Sequence, residues 1–165
     1  MTWIIGIERP DTPDATTLRR DYYDEVASRY WKRPATEREI DEGLTDDGTE
    51  LLVAPTGAFV VGRFAGKPAA CAGLVVVGPG LAELTRVFVR PEVRGTGGGG
   101  LLLKAIEETA RDYGIRRIRL DTRNDLVEAR ALYARHGYVE GPAHNADRYA
   151  EHWFSKDLTE VGSAG

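Results

Sequence analysis

The sequence predicts one domain of mixed α/β class, in which strands and helices share a single core. Segments with the two-residue hydrophobic period of strands alternate with segments of helical period. Their order is strand, two helices, three consecutive antiparallel strands, helix, strand, helix and two closing strands. With 165 residues, the chain can bury about two thirds of its unfolded surface. We therefore expect a single domain over residues 1–158 and a disordered tail over residues 159–165.

The composition excludes several classes of function. A net charge of -4 provides no basic excess for nucleic acid or an acidic membrane, so we expect neither partner. No apolar segment approaches the length of a membrane helix, and the lone cysteine, Cys71, lies in an apolar run typical of a buried thiol. These features indicate a cytoplasmic protein. The three histidines, His136, His144 and His152, have no cluster of further ligands around them, so we expect surface residues and no metal site.

Two capping patterns define the helices of the N-terminal part. Thr12 followed by Pro13 is typical of an N-cap and first helical position, and Thr36 with Glu39 three residues later is a capping box. The predicted elements are a strand over residues 3–7, a helix from 13 to about 31, a second helix ending at about 44, and extended coil over 51–57.

Strand periodicity begins at Ala58. Two apolar runs flank Ala65 and Gly66 as a hairpin, and a third strand extends from Leu81 to Val89. The later elements are a helix ending near residue 114, a core strand over 115–122, a helix ending near 136, a strand beginning at 138, and a last strand over 149–156.

The glycine-rich loop after Val89 predicts an anion site. Glycines free the backbone to approach a ligand, and the unpaired amides at the start of the next helix favour negative charge. A pyrophosphate is the expected guest, with a merely loose turn as the alternative. Gly95, Gly97 and Gly100 also match the GxGxxG pattern of NAD-binding oxidoreductases, but that pattern should directly follow the first strand of a βαβ unit.

Two local motifs in this order of elements identify a family resemblance. Arg94, Gly97 and Gly99 match a phosphate loop of Arg or Gln, two residues, Gly, one residue, and Gly or Ala. The segment ALYARHGY matches a second signature, a helix that carries Leu132 and Tyr133 before a glycine. The chain resembles the GNAT superfamily of N-acetyltransferases over nearly its whole length. The resemblance implies a mixed, mostly antiparallel central sheet with helices on both faces.

The resemblance also implies a co-substrate and the residues that bind it. Relatives transfer an acetyl group from acetyl-CoA directly to an amine, here the primary amine of a small molecule or peptide. The implied coenzyme contacts are the backbone of Val87, Phe88 and Val89, the loop residues Arg94, Gly95, Thr96, Gly97, Gly98, Gly99 and Gly100, and, in place of an asparagine found in relatives, Asn124.

Two residues match the catalytic positions of the family. Glu83 stands where many relatives carry a base for the amine, and the alternative is a solvated acid at a strand end. Tyr133 stands where relatives carry the proton donor to the leaving thiolate, and the alternative is a core tyrosine.

The acceptor site is the least defined part of the expectation. Tyr23, Tyr30 and Trp31 occupy the place of the acceptor wall in relatives, although such a stripe also suits a core. The segment RYAEHWFSK either closes the same cleft or forms a homodimer interface. A catalytically silent CoA-binding sensor and, more remotely, an NAD-dependent oxidoreductase remain as alternatives. The sequence identifies neither the acceptor nor a preference for longer acyl groups.

Overall fold

A computed structural model describes residues 2–45 and 48–158, so the expected tail over residues 159–165 lies outside it. Seven strands form one sheet in the order β1-β2-β3-β4-β5-β7-β6. They are β1 Trp3–Ile7, β2 Gly57–Phe64, β3 Lys67–Gly78, β4 Leu81–Val89, β5 Arg117–Thr122, β6 Val139–Gly141 and β7 His152–Asp157. Only the β4–β5 pair is parallel among these neighbours. The mixed, mostly antiparallel sheet confirms the predicted fold class.

Helices cover both faces of this sheet, as the resemblance implies. They are α1 Pro13–Trp31, α2 Glu37–Thr45, α3 Gly98–Asp112 and α4 Val127–Arg135, with short 3₁₀ turns at Thr49–Leu51 and Pro91–Val93. Along β2, Val60 packs into the core that contains α3 and α4, whereas Phe59 and Val61 pack against α1. Because successive side chains of a strand point to opposite faces of the sheet, β2 contributes residues to a hydrophobic core on each face.

Both predicted caps are present. The Thr12 hydroxyl accepts a hydrogen bond from the Ala15 amide at 3.2 Å. The Thr36 hydroxyl accepts from the Glu39 amide at 3.2 Å, and the Glu39 carboxylate accepts from the Thr36 amide at 2.9 Å. These reciprocal bonds satisfy amides that have no partner within their helices.

Three expectations about local structure are wrong. The coil predicted over residues 51–57 begins inside a 3₁₀ turn and ends in β2. The last strand begins at His152 instead of residue 149, because Asp147 accepts hydrogen bonds from the Tyr149 and Ala150 amides and holds that segment in a turn. The histidines are partly buried instead of at the surface; His144, for example, contacts the Leu120 carbonyl at 3.2 Å.

The sheet divides between β4 and β5. The two strands pair only where Leu81–Glu83 meets Arg117–Arg119, although β4 continues to Val89 and β5 to Thr122. A β-bulge at Arg86, whose φ is 55°, lies in the part of β4 beyond this pairing. The edge of β4 that faces β5 is thus left without a strand partner beyond Glu83.

Candidate active site

A central cleft of about 1160 Å³ opens at the division between β4 and β5. Its walls come from α1, the second half of β4, the glycine-rich loop, the end of β5 and α4. Two regions of chain that are distant in sequence, the loop near residue 97 and the helix near residue 133, meet in this one cavity. The cleft is therefore the natural candidate for a ligand site.

The glycine-rich loop delivers the N-terminus of α3 to this cleft. Gly97 is the N-cap residue, with φ of 93° in the left-handed region, and no side chain caps the helix. A Cβ added at Gly95 or Gly97 would meet nothing within 4 Å. Gly97 to Gly100 all line the cleft, where the unpaired first amides of a helix and the positive end of its dipole favour an anion.

The next three glycines are required by close packing. A Cβ on Gly98 would stand 2.4 Å from the Trp3 indole, and a Cβ on Gly100 would stand 2.8 Å from the His136 ring. Gly99 packs in the same way against Leu132, at 2.9 Å. The four-glycine run is therefore a packed helix start, and the alternative of a loose turn is wrong.

Arg94 and Thr96 are held by protein partners. The Arg94 Nε donates to the Val89 carbonyl at 3.0 Å, and its Nη2 donates to Glu25 of α1 at 2.5 Å. The Thr96 hydroxyl donates to the Val93 carbonyl and accepts from the Trp3 indole at 2.9 Å. Arg94 lines the cleft, but Thr96 does not.

Glu83 and Tyr133 both line the cleft. The Glu83 carboxylate accepts a hydrogen bond from Arg119 Nε at 3.1 Å across the short parallel pairing. Tyr133 is 6% exposed, and burial raises the pKa of its phenol above the usual value near 10. Its ring lies 5.9 Å from Tyr138 and 6.0 Å from Phe154. Tyr133 is thus at once a core side chain and a protonated group on the wall of the cleft.

The predicted acceptor residues Tyr23, Tyr30 and Trp31 all line the cleft. The Tyr30 and Trp31 rings stack 4.9 Å apart at 7°, and Tyr149 meets Tyr30 edge-on at 5.1 Å. Trp31 is 52% exposed, so this aromatic group stands at the mouth of the cleft and not in a core.

Several cleft residues were not predicted from the sequence, and two predicted residues, Thr96 and Asn124, do not line the cleft. The additional lining residues include Tyr22, Arg86, Asp121 and Arg123, while Tyr149 belongs to the segment that was expected to close the cleft. Alternation along β5 was visible in the sequence, but the face that looks into the cleft is determined by strand pairing. Asn124 does not line the cleft, because its side-chain oxygen contacts His152 Nε2 at 3.0 Å instead.

No helix within residues 2–45 and 48–158 is long and apolar enough to cross a membrane. That same part of the chain contains no group of three or more His, Cys, Asp or Glu side chains that could hold a metal ion.

Comparison with known proteins gives the family. A sequence model described as the Acetyltransferase (GNAT) family matches residues 15–138. The chain belongs to the GNAT acetyltransferase family. The matched range includes most of α1, the glycine-rich loop and all of α4, which all line the cleft of this GNAT chain.

One curated relative is similar to part of the chain. The IAA acetyltransferase of Azospirillum brasilense is 33% identical over 95 residues, which are 56% of this GNAT chain and 62% of that protein. The chain therefore spans less than two thirds of the length of this curated relative.

Solved structures share the fold over almost the whole chain. A GNAT acetyltransferase of Staphylococcus aureus covers 96% of this chain and 100% of its own, with a TM-score of 0.76 and 15% identity. The PaiA N-acetyltransferase of Thermoplasma acidophilum, solved in complex with coenzyme A, gives the same coverage, with a TM-score of 0.74 and 16% identity. At these identities the likeness concerns the GNAT fold alone.

Proposed function

We propose that the protein is an N-acetyltransferase that moves the acetyl group of acetyl-CoA directly to the primary amine of a small molecule or peptide. One observation carries the proposal: the uncapped N-terminus of α3 adjoins the division between β4 and β5. The uncapped start of α3 suits a pyrophosphate, and the unpaired edge of β4 suits an extended ligand whose amides pair with the strand backbone. Membership of the GNAT family supports the same assignment.

The cleft fits the coenzyme at both of these places. The open space at Gly95 and Gly97 admits a phosphate group to the first amides of α3. The edge of β4 at Val87, Phe88 and Val89 lacks a strand partner on the β5 side, so its backbone can pair with pantetheine amides. Arg94 contributes less than its charge suggests, because Glu25 already compensates its guanidinium.

The proposed chemistry needs one proton removed and one delivered. Acetyl-CoA supplies an activated thioester. Burial raises the pKa of Tyr133 and keeps its phenol oxygen protonated. The same shift makes the phenol a weaker acid, so Tyr133 is proposed to donate this proton as negative charge develops on the leaving sulfur. Glu83 is the proposed proton acceptor for the amine, directly or through a water. Its ion pair with Arg119 fixes the carboxylate and leaves one oxygen to accept the proton.

The proposal also includes the domain organisation and the location of the protein, together with the alternatives to them. A single domain in the cytoplasm is supported by the one sheet and by a lone buried cysteine. The segment RYAEHWFSK, residues 148–156, either closes the cleft or forms a homodimer interface. A silent CoA sensor would share the cleft, and an NAD-dependent oxidoreductase is disfavoured because a hairpin precedes the glycine-rich loop.

Calorimetric titration with acetyl-CoA, with NAD as the competing dinucleotide, tests the coenzyme. Saturable binding of acetyl-CoA alone is expected, and thiol release should then require an added primary amine. Acetyl-CoA binding without amine-dependent thiol release would favour the sensor. Binding of NAD alone, or of neither compound, would refute the proposed use of the glycine-rich loop.

A further inference from the structure

The carboxylates of the central cleft differ in how their charge is compensated. Five line the cavity: Glu25, Glu39, Glu83, Asp121 and Glu128. Four of them are ion-paired with an arginine, respectively Arg94, Arg33, Arg119 and Arg29 for Glu25, Glu39, Glu83 and Glu128. Asp121 alone in this set has an uncharged partner. Its Oδ2 accepts a hydrogen bond from the side-chain amide of Asn145 at 2.8 Å.

Asp121 is also held in position. Asn145 accepts a hydrogen bond from the Trp153 indole at 3.1 Å, and Trp153 lies opposite Asp121 in the β5–β7 register. Asn145 Oδ1 also accepts from the Asp147 amide at 3.2 Å, so two donors orient the side-chain amide, which orients the carboxylate in turn. Within the described residues the second carboxylate oxygen, Oδ1, is left without a hydrogen-bond donor. A fixed carboxylate with an available oxygen is suited to bind a cationic donor.

The surroundings of Asp121 favour a cation with an apolar body. Arg123, which follows the last residue of β5, lies 5.4 Å from the Tyr30 ring, so this aromatic face already accommodates a cation. The Arg123 guanidinium is itself compensated by Asp125 at 2.9 Å. Tyr30 and Tyr149 form the neighbouring wall.

We propose that Asp121 binds the ammonium group of the acceptor, so that the enzyme selects amines that are cationic at neutral pH and have an apolar or aromatic body. The inference rests on the proposed acetyltransferase function and specifies its substrate class. Asp121 is a substrate-binding residue here. The bound ammonium loses one proton to the base proposed above before it attacks, and the second proton that the nitrogen loses as the amide forms balances the one that Tyr133 gives to the leaving thiolate. An ammonium ion in this position gains a charge-assisted bond that a neutral amine lacks.

The test compares two amines in thiol release with acetyl-CoA. The cationic probe is 2-phenylethylamine and the neutral probe is aniline, each measured with the wild-type chain and with Asp121→Asn. The variant should lower the preference for 2-phenylethylamine over aniline in kcat/KM by about tenfold or more, mainly through KM. A misfolded fraction of the variant lowers kcat/KM for both amines by the same factor, so it leaves their ratio unchanged.

Asp157→Asn is the matched control. Asp157 lies on β7, 80% exposed and outside the cleft, and this change removes the same charge from the chain. Its preference ratio should equal that of the wild type. An unchanged ratio in Asp121→Asn, or a wild-type preference for aniline, would overturn the proposed role of Asp121 and leave the proposed acetyltransferase function standing. Absence of thiol release from 2-phenylethylamine, butylamine, a lysine peptide and aniline, with acetyl-CoA bound, would overturn the proposed function with it.

Discussion

Tyr133 shows at the scale of one residue how a core position coincides with a position on the cleft wall. Its apolar neighbours along α4 predict burial, and the family signature predicts a proton donor. The ring packs against Tyr138 and Phe154, which confirms the burial, and the side chain also lines the cleft, where the proton-donor role remains a proposal. Hydrophobic periodicity could not separate the two roles, since a buried phenol on a cavity wall has the same pattern as one inside a core.

Tyr133→Phe should lower kcat about a hundredfold and leave acetyl-CoA affinity within about twofold, because only proton delivery is lost. Single-turnover kinetics and calorimetric titration measure the two quantities. Tyr138→Phe is the control: it removes the same hydroxyl from a buried tyrosine outside the cleft, where the phenol contacts Glu107 at 3.4 Å. Full activity in Tyr133→Phe, or an equal loss in Tyr138→Phe, would exclude the acid role.

Glu83 shows a limit of prediction at the same scale. The sequence indicates a carboxylate near the start of β4 but gives no information about its partner. Arg119 pairs with it only because β5 lies parallel to β4 in the observed register. Asp121 was missed for the corresponding reason, because its distinguishing feature is a contact with Asn145, 24 residues later.

The N-terminal turn of α3 is the element that organises the site. The sequence predicts a helix whose first turn is almost bare backbone, and the helix begins at Gly98. What the sequence could not show is that the glycines have two different purposes. Gly97 needs a left-handed backbone next to open space, whereas Gly98 and Gly100 need room for Trp3 and His136. Trp3 belongs to β1, so its contact depends on tertiary structure.

Gly97→Glu should reduce acetyl-CoA affinity at least about a hundredfold, because a carboxylate would stand at the anion-binding end of α3. The substitution also strains a backbone whose φ is 93°. Gly66→Glu is the matched control, since Gly66 has φ of 82°, open space around it, and a place in the β2–β3 hairpin away from the cleft. Calorimetric titration of both variants measures the effect. Retained affinity in Gly97→Glu would place the phosphates elsewhere.

The molecule as a whole is predictable where local signals agree and less so where distant segments meet. The strand and helix order follows from periodicity and caps, and a core strand over residues 115–122 is expected next to β4. Periodicity predicts neither the parallel direction of that pairing nor its length, because three residue pairs followed by divergence leave no mark on either strand. The turn before β7 was also missed, because Asp147 closes it through hydrogen bonds that compete with the apolar pattern of a strand.

Global unfolding should become easier at alkaline pH because buried acids stay protonated in the fold. Burial raises the pKa of the Cys71 thiol from 9.0 to about 12 and that of the Tyr22 phenol from 10.0 to about 12. Between these values the unfolded chain binds fewer protons than the folded chain. The free energy of unfolding therefore falls as pH rises, by up to about 1.4 kcal/mol per pH unit for each group.

Cys71→Ser isolates the contribution of the thiol. Serine can donate to the Arg86 carbonyl, which the thiol contacts at 3.4 Å, but it does not titrate in this range. In urea unfolding from pH 8.5 to 11, the stability difference between wild type and variant should shrink by about 1 kcal/mol per pH unit above pH 9. Cys71→Ala should show the same change in slope despite a different stability at neutral pH. Parallel curves for wild type and both variants would mean that the thiol ionises equally in the folded and unfolded chain.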